Sequence, residues 1–148
     1  MYKTMKAPIR VDLEVTGKCN LRCSHCYNFW RPENSIPPLT ISNLNHILHQ
    51  IKKNEIMEIT LTGGEPFLED ELVFRILEFC KKSAIAVSIN SNLTVVNDSI
   101  ATQLSVYKPS IMTSLFSFDS ITHENITGVQ NSFNKTIEGI KILLGKGI

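Results

Sequence analysis

Short apolar runs that read as β-strands alternate with segments of helical periodicity along most of the chain. This alternation constrains the fold more than any other feature. Residues 9–15, 56–61, 85–89 and 111–118 form the four strand-like runs. Ile41, Leu44, Leu48 and Ile51 recur at helical spacing behind a capping Thr40. Leu72, Ile76, Leu77 and Cys80 mark a second helix, with Glu69, Asp70 and Glu71 suited to its first turn. Residues 99–107 read as a short third helix. Ser132 caps a last one with Phe133, Ile137, Ile140 and Leu144 on one face. Four βα units in sequence predict an α/β fold with a parallel sheet and right-handed crossovers. Ligands of such sheets bind beyond the carboxyl ends of the strands.

Two turns rich in chemistry fall at that edge. Cys19, Cys23 and Cys26, spaced C-x3-C-x2-C, follow the first strand directly, ahead of a proline-rich connector at residues 31–38. A loop this short cannot bury three thiols as core, and three thiols cannot all pair as disulfides. A shared soft metal centre accounts for them best. The rival is a structural zinc ion with His25 as fourth ligand. Against it, His25 is adjacent to Cys26, and neighbouring side chains rarely converge on one tetrahedral ion. Thr62-Gly63-Gly64-Glu65-Pro66 follows the second strand. Its glycines let backbone approach a ligand closely, Glu65 offers a carboxylate to a cationic amine, and Pro66 stiffens the exit. The plain alternative is a tight turn that ends a strand.

Bulk properties set the outer limits. With 148 residues the chain has room for one sizeable core, so one domain is expected. It is 43% hydrophobic and 20% charged with a net charge of +1, which offers no electrostatic case for nucleic acid or a membrane surface. No apolar run approaches the roughly 20 residues that span a bilayer. The first ten residues carry basic side chains without an apolar signal core. Four cysteines in that setting read as metal or redox ligands, and the expected compartment is the cytoplasm. The Asn-x-Ser/Thr matches at Asn92, Asn97, Asn125 and Asn134 then occur by chance.

The cysteine spacing resembles the cluster loop of the radical S-adenosylmethionine enzymes, and Gly63-Gly64-Glu65 resembles that family's GGE segment. The resemblance implies a partial (β/α) barrel. It implies that Cys19, Cys23 and Cys26 hold a [4Fe-4S] cluster whose fourth iron takes the amine and carboxylate of S-adenosylmethionine. One electron then cleaves the sulfonium bond, and the 5′-deoxyadenosyl radical removes a hydrogen atom from an unreactive carbon. Gly63, Gly64, Glu65 and Pro66 would hold the cofactor's amino group. His25 stands where the family places an aromatic near the adenine, and Tyr27 adds to that wall.

Asn90-Ser91-Asn92 stands where relatives carry Thr-Asn-Gly, with Asn92 tolerating a left-handed turn in place of glycine. Ser117-Phe118-Asp119 resembles Ser-Leu-Asp-Gly, with Ser120 in place of the glycine. Asn90 and Ser117 are therefore cofactor candidates. Cys80 is expected in the core, and His46, His49 and His123 at the surface. The stretch from Phe118 to Ile148 resembles the branch that modifies peptides and proteins, often with a further cysteine-rich domain. That branch implies a peptide or protein substrate and an electron donor such as a flavodoxin or ferredoxin. The family's barrel commonly has more strands than four, so the chain reads as the N-terminal portion of a core domain. An open edge and an uncovered apolar sheet face would then favour a completing domain or a second copy. A non-catalytic iron–sulfur or S-adenosylmethionine-binding module is the alternative from another functional class.

Overall fold

The computed structural model describes residues 7–27 and 39–148, so the proline-rich connector expected at residues 31–38 lies outside the described residues. Strands β1 (Arg10–Thr16), β2 (Glu58–Gly63), β3 (Ala86–Asn90) and β4 (Ser110–Met112) lie side by side in that order. Every neighbouring pair is parallel. Helices α1 (Ile41–Lys53), α2 (Asp70–Ser83) and α3 (Asp98–Tyr107) carry the chain between strands, and α4 (Ser120–Thr127) and α5 (Ser132–Gly145) follow β4. The α/β fold with four parallel strands is therefore the one adopted, as an open sheet.

The strand register sorts side chains onto two unlike faces. Val11, Leu13, Ile59, Leu61, Val87, Ile89 and Ile111 share one face. They join Leu44, Leu48 and Ile51 of α1 and Val73, Ile76 and Leu77 of α2 in a single core. The opposite face carries Asp12, Glu14, Glu58, Thr60, Thr62, Ser88 and Asn90. That face was expected to be apolar, and it is polar. The alternation Val11-Asp12-Leu13-Glu14, Ile59-Thr60-Leu61-Thr62 and Val87-Ser88-Ile89-Asn90 was the available signal of a face that is not apolar.

Local signals explain most helix ends. Thr40 Oγ1 accepts from Asn43 N at 3.1 Å at the start of α1, and Asn97 accepts from Ile100 N at 3.0 Å at the start of α3. α2 opens on Asp70 and Glu71 and closes on Lys81 and Lys82, which complements its dipole at both ends. Cys80 is buried in this helix, as expected, and burial pushes its thiol up to about 12.

The second half departs from expectation. β4 ends at Met112 instead of Phe118, because Phe116 N donates to His123 Nδ1 at 3.4 Å and Ser117 and Asp119 form a turn into α4. In α5 the buried positions are Ser132, Thr136, Gly139 and Leu143, one residue ahead of the predicted face, and Leu144 is exposed. Asn131, not Ser132, occupies the N-cap position. The small residues face inward because the helix lies close to the turn after β3. A Cβ on Gly139 would sit 2.4 Å from the Leu93 carbonyl oxygen. Gly139→Ala should therefore lower stability by about 1–3 kcal/mol, as a fall in urea midpoint at constant m-value. Gly145→Ala, with nothing within 4 Å of the added carbon, should leave stability equal or higher.

Candidate metal and cofactor site

The cysteine loop leaves β1 through a bulge. Pairing passes from Glu14↔Thr62 to Thr16↔Gly63, so Val15 is the extra residue. Gly63, at φ 128, and Gly64 then run against the loop's first residues. A Cβ on Gly63 would lie 2.2 Å from Thr16 O, and one on Gly64 2.0 Å from Lys18 O. Gly64 N donates to Thr16 O and Glu65 N to Lys18 O, both at 2.8 Å. The approach these glycines permit is thus to the backbone that launches the cysteines. Pro66 is buried and opens the 3-10 turn Pro66–Glu69.

Glu65 has 0% exposure. Its Oε1 accepts from Phe67 N at 3.1 Å and Ser91 Oγ at 2.8 Å, and its Oε2 from Asn92 N at 2.8 Å. Burial pushes its pKa up against the pull of these donors. The carboxylate ties the end of β2 to the turn after β3. Within that turn the left-handed residue is Leu93, at φ 61, and not Asn92. Asn92 turns toward the cysteine loop instead, donating through Nδ2 to Asn20 Oδ1 at 3.0 Å and to Cys19 Sγ at 3.9 Å.

The far side of the loop is held by α4 and its neighbours. Arg22 N donates to Thr127 O at 2.8 Å and Ser24 N to Ile126 O at 2.9 Å. Gly128, at φ 69, admits this contact, since a Cβ there would lie 2.8 Å from Arg22 O. The His25 ring packs edge-on against Phe116 at 4.7 Å between centroids, consistent with the packing role expected of it. His123, expected at the surface, is 1% exposed between Phe116 and Phe133. Burial lowers its pKa, and among the described residues its Nε2 has no hydrogen-bond partner. His46 and His49 are exposed on α1, as expected.

The three loop thiols are free and gathered close enough to influence one another. Burial raises the Cys23 pKa, and the neighbouring Cys19 and Cys26 raise it further. Burial also raises that of Cys19, with added repulsion from Glu65 and Cys26. Among the described residues no three His, Cys, Asp or Glu side chains are arranged to hold a single ion. Asn90 ends β3 on the polar face, and its buried Oδ1 has no partner among the described residues. Tyr27 is exposed, with its hydroxyl donating to Glu14 Oε1 at 3.3 Å on that face. Ser117 Oγ accepts from Asp119 N at 3.0 Å, and Asp119 caps α4 through Thr122 N at 2.8 Å. The structure thus brings the cysteines, Gly63, Gly64, Glu65 and Asn92 into one assembly, while Ser117 serves its own turn. Sequence reasoning missed the hub role of Asn92 and the burial of His123. The Thr127-Gly128 pair, a helix end followed by glycine, was the available signal that a helix precedes it.

An open parallel sheet with a thiol loop and a glycine turn at its carboxyl edge has the layout of a cofactor-binding α/β enzyme domain. The profile of the Radical SAM superfamily matches residues 13–148, and the chain belongs to that superfamily. It is 30% identical over 143 residues to the antilisterial bacteriocin subtilosin biosynthesis protein AlbA of Bacillus subtilis, covering 95% of this chain and 32% of AlbA. The fold matches native anSMEcpe with bound AdoMet at a TM-score of 0.81 and 19% identity, covering 95% of this chain and 42% of that one. It matches Streptococcus suis SuiB bound to precursor peptide SuiA at a TM-score of 0.75 and 24% identity, covering 95% and 31%. The chain thus spans about a third of the length of AlbA and SuiB.

Removing the Glu65 carboxylate leaves three donors without an acceptor, so Glu65→Ala should cost on the order of 3 kcal/mol or more. Glu65→Gln adds a pH signature. The folded-state pKa lies above the ordinary carboxylate value, so the side chain's contribution is full below that value and is lost as pH rises through the raised one. Denaturation of both proteins from about pH 4 to about pH 8 should show the wild-type advantage shrinking as pH rises.

Proposed function

We propose that this chain is the N-terminal portion of a radical S-adenosylmethionine enzyme that modifies a peptide or protein. The observation that carries the reading is the gathering of Cys19, Cys23 and Cys26 on one short loop at the carboxyl edge of the sheet. Ligands of a single zinc, at about 2.3 Å each, must crowd around one point. A four-iron cube gives each thiolate its own iron and leaves one iron for a ligand from outside the protein. Asn90 offers a buried, unused acceptor beside this edge, which suits a polar cofactor.

In this reading the three cysteines hold a [4Fe-4S] cluster, and Gly63, Gly64, Glu65, Pro66, Asn90, Ser117 and Tyr27 surround S-adenosylmethionine. When bound, the reduced cluster supplies the electron that breaks the sulfonium bond and releases a 5′-deoxyadenosyl radical. Glu65 holds negative charge near the cofactor's ammonium and fixes the turn that braces Cys19. Phe116 backs the His25 ring, which forms a wall for the adenine together with Tyr27. The polar sheet face, with Asp12, Glu14 and Thr60, lines the interior that faces the reaction. A peptide substrate is supported by AlbA, a bacteriocin biosynthesis protein, and by SuiB, whose structure holds a precursor peptide. Cysteines that serve as metal ligands suit the cytoplasm, where a flavodoxin or ferredoxin would supply electrons. Among the described residues no helix is long and apolar enough to cross a membrane.

Anaerobic reconstitution with iron and sulfide tests the reading. Cys19→Ala, Cys23→Ala and Cys26→Ala should each lose the visible absorbance of the cluster, whereas Cys80→Ala retains it. Equal loss from Cys80→Ala would assign the ligands differently. Reductant plus S-adenosylmethionine should then yield 5′-deoxyadenosine from the whole protein, and none would leave a binding module.

A further inference from the structure

The three loop sulfurs are not equivalent in their surroundings. Cys19 Sγ accepts from Leu21 N at 3.4 Å and from Asn92 Nδ2 at 3.9 Å. Among the described residues, Asn92 is the only side chain that donates to any of the three. The orientation of its amide follows from the network around it. Asn92 Oδ1 accepts from Thr94 N at 2.9 Å and from Thr94 Oγ1 at 2.7 Å, and a backbone N–H can only donate. The oxygen must therefore face Thr94, which leaves the NH2 group to face Asn20 and Cys19.

The main chain of Asn92 is fixed as firmly as its side chain. Its N–H goes to Glu65 Oε2 at 2.8 Å, and its carbonyl accepts from Thr136 Oγ1 of α5 at 3.0 Å. Asn20 Nδ2 closes the circuit on Thr94 Oγ1 at 2.7 Å. A turn that needed only to cross from β3 to α3 has no use for an amide secured at every polar atom and aimed at a cysteine from another βα unit. Hydrogen bonds to ligand sulfur withdraw electron density from the iron it binds and raise the reduction potential of a cluster.

We propose that Asn92 is a positioning residue that acts through Cys19: its N–H···S bond raises the potential of the cluster and makes the iron held by Cys19 distinct from the other two. This rests on the cluster reading of the loop. Asn92 is placed by Glu65 on one side and Thr136 on the other, so the bond is set by the fold and does not depend on a bound substrate.

The test is a reductive titration of the reconstituted full chain, followed by the paramagnetic signal of the reduced cluster. Asn92→Ala removes the donor without adding charge. Asn92→Asp keeps the acceptor for Thr94 but removes the donor. Both should shift the midpoint to more negative potential than wild type, with iron content per chain unchanged. Thr136→Val removes the hydrogen bond to the Asn92 carbonyl and spares the side chain, so it should lower stability and leave the potential at the wild-type value. A shift in Asn92→Asp alone would assign the effect to charge and overturn the proposal, as would an unchanged potential in Asn92→Ala. An equal shift in Thr136→Val would reduce Asn92 to a structural role. A wild-type chain that assembles no cluster would instead overturn the reading on which the proposal stands.

Discussion

One buried carboxylate organises the functional edge of this protein. Glu65 has no exposure, yet it carries an ionisable group into the interior, a costly arrangement unless its oxygens are occupied. They are, by donors from its own turn and from the turn one strand further on. The consequence is mechanical: the ends of β2 and β3 cannot shift separately. Asn92 extends the tie to Asn20 and Cys19, so the first three βα units meet at one point. The fourth joins through Arg22 and Ser24, whose amides reach the last carbonyls of α4.

Glycine marks four places where these elements approach by backbone. Gly63 and Gly64 meet Thr16 and Lys18, Gly128 meets Arg22, and Gly139 meets Leu93. At each place an added Cβ would lie under 3 Å from a carbonyl oxygen, closer than real carbons approach. The loop is thus seated by main-chain contacts that no side chain could make. Three of these glycines press directly on the segment from Thr16 to Arg22, which leads into and through the thiols.

The sequence disclosed the parallel α/β sheet because Ile59, Leu61, Val87 and Ile89 are both apolar and β-prone, and the capping Thr40 marked a helix start, whereas the Asn97 cap of α3 went unread. The cysteines were legible for a different reason: no ordinary packing accounts for three thiols so close in sequence. What stayed hidden was long-range. Nothing local shows that His123 lies between Phe116 and Phe133, or that Phe116 N–H leaves the strand ladder for its ring. The face of α5 was read one residue late because Phe133, Ile137 and Ile140 outweighed Thr136 and Gly139 in hydropathy, while close approach to Leu93 demanded the small residues. The left-handed conformation expected at Asn92 proved to belong to the next position, where Leu93 accepts an uncommon φ because its side chain is 1% exposed in the core.

These contacts also bear on how the site forms. In small metal domains the ligands are brought together by the metal, and the unloaded chain is unfolded. Here the loop is held by Lys18 O, Arg22 N, Ser24 N and Asn20, each bonded to an element distant in sequence. The core that supports those elements runs through Ile59, Leu61, Val73, Ile76 and Ile89 and contains none of the loop thiols. Burial raises the pKa of Cys19 and of Cys23, and the neighbouring thiols add to the rise. The sheet builds the seat, and the glycines and Glu65 shape it.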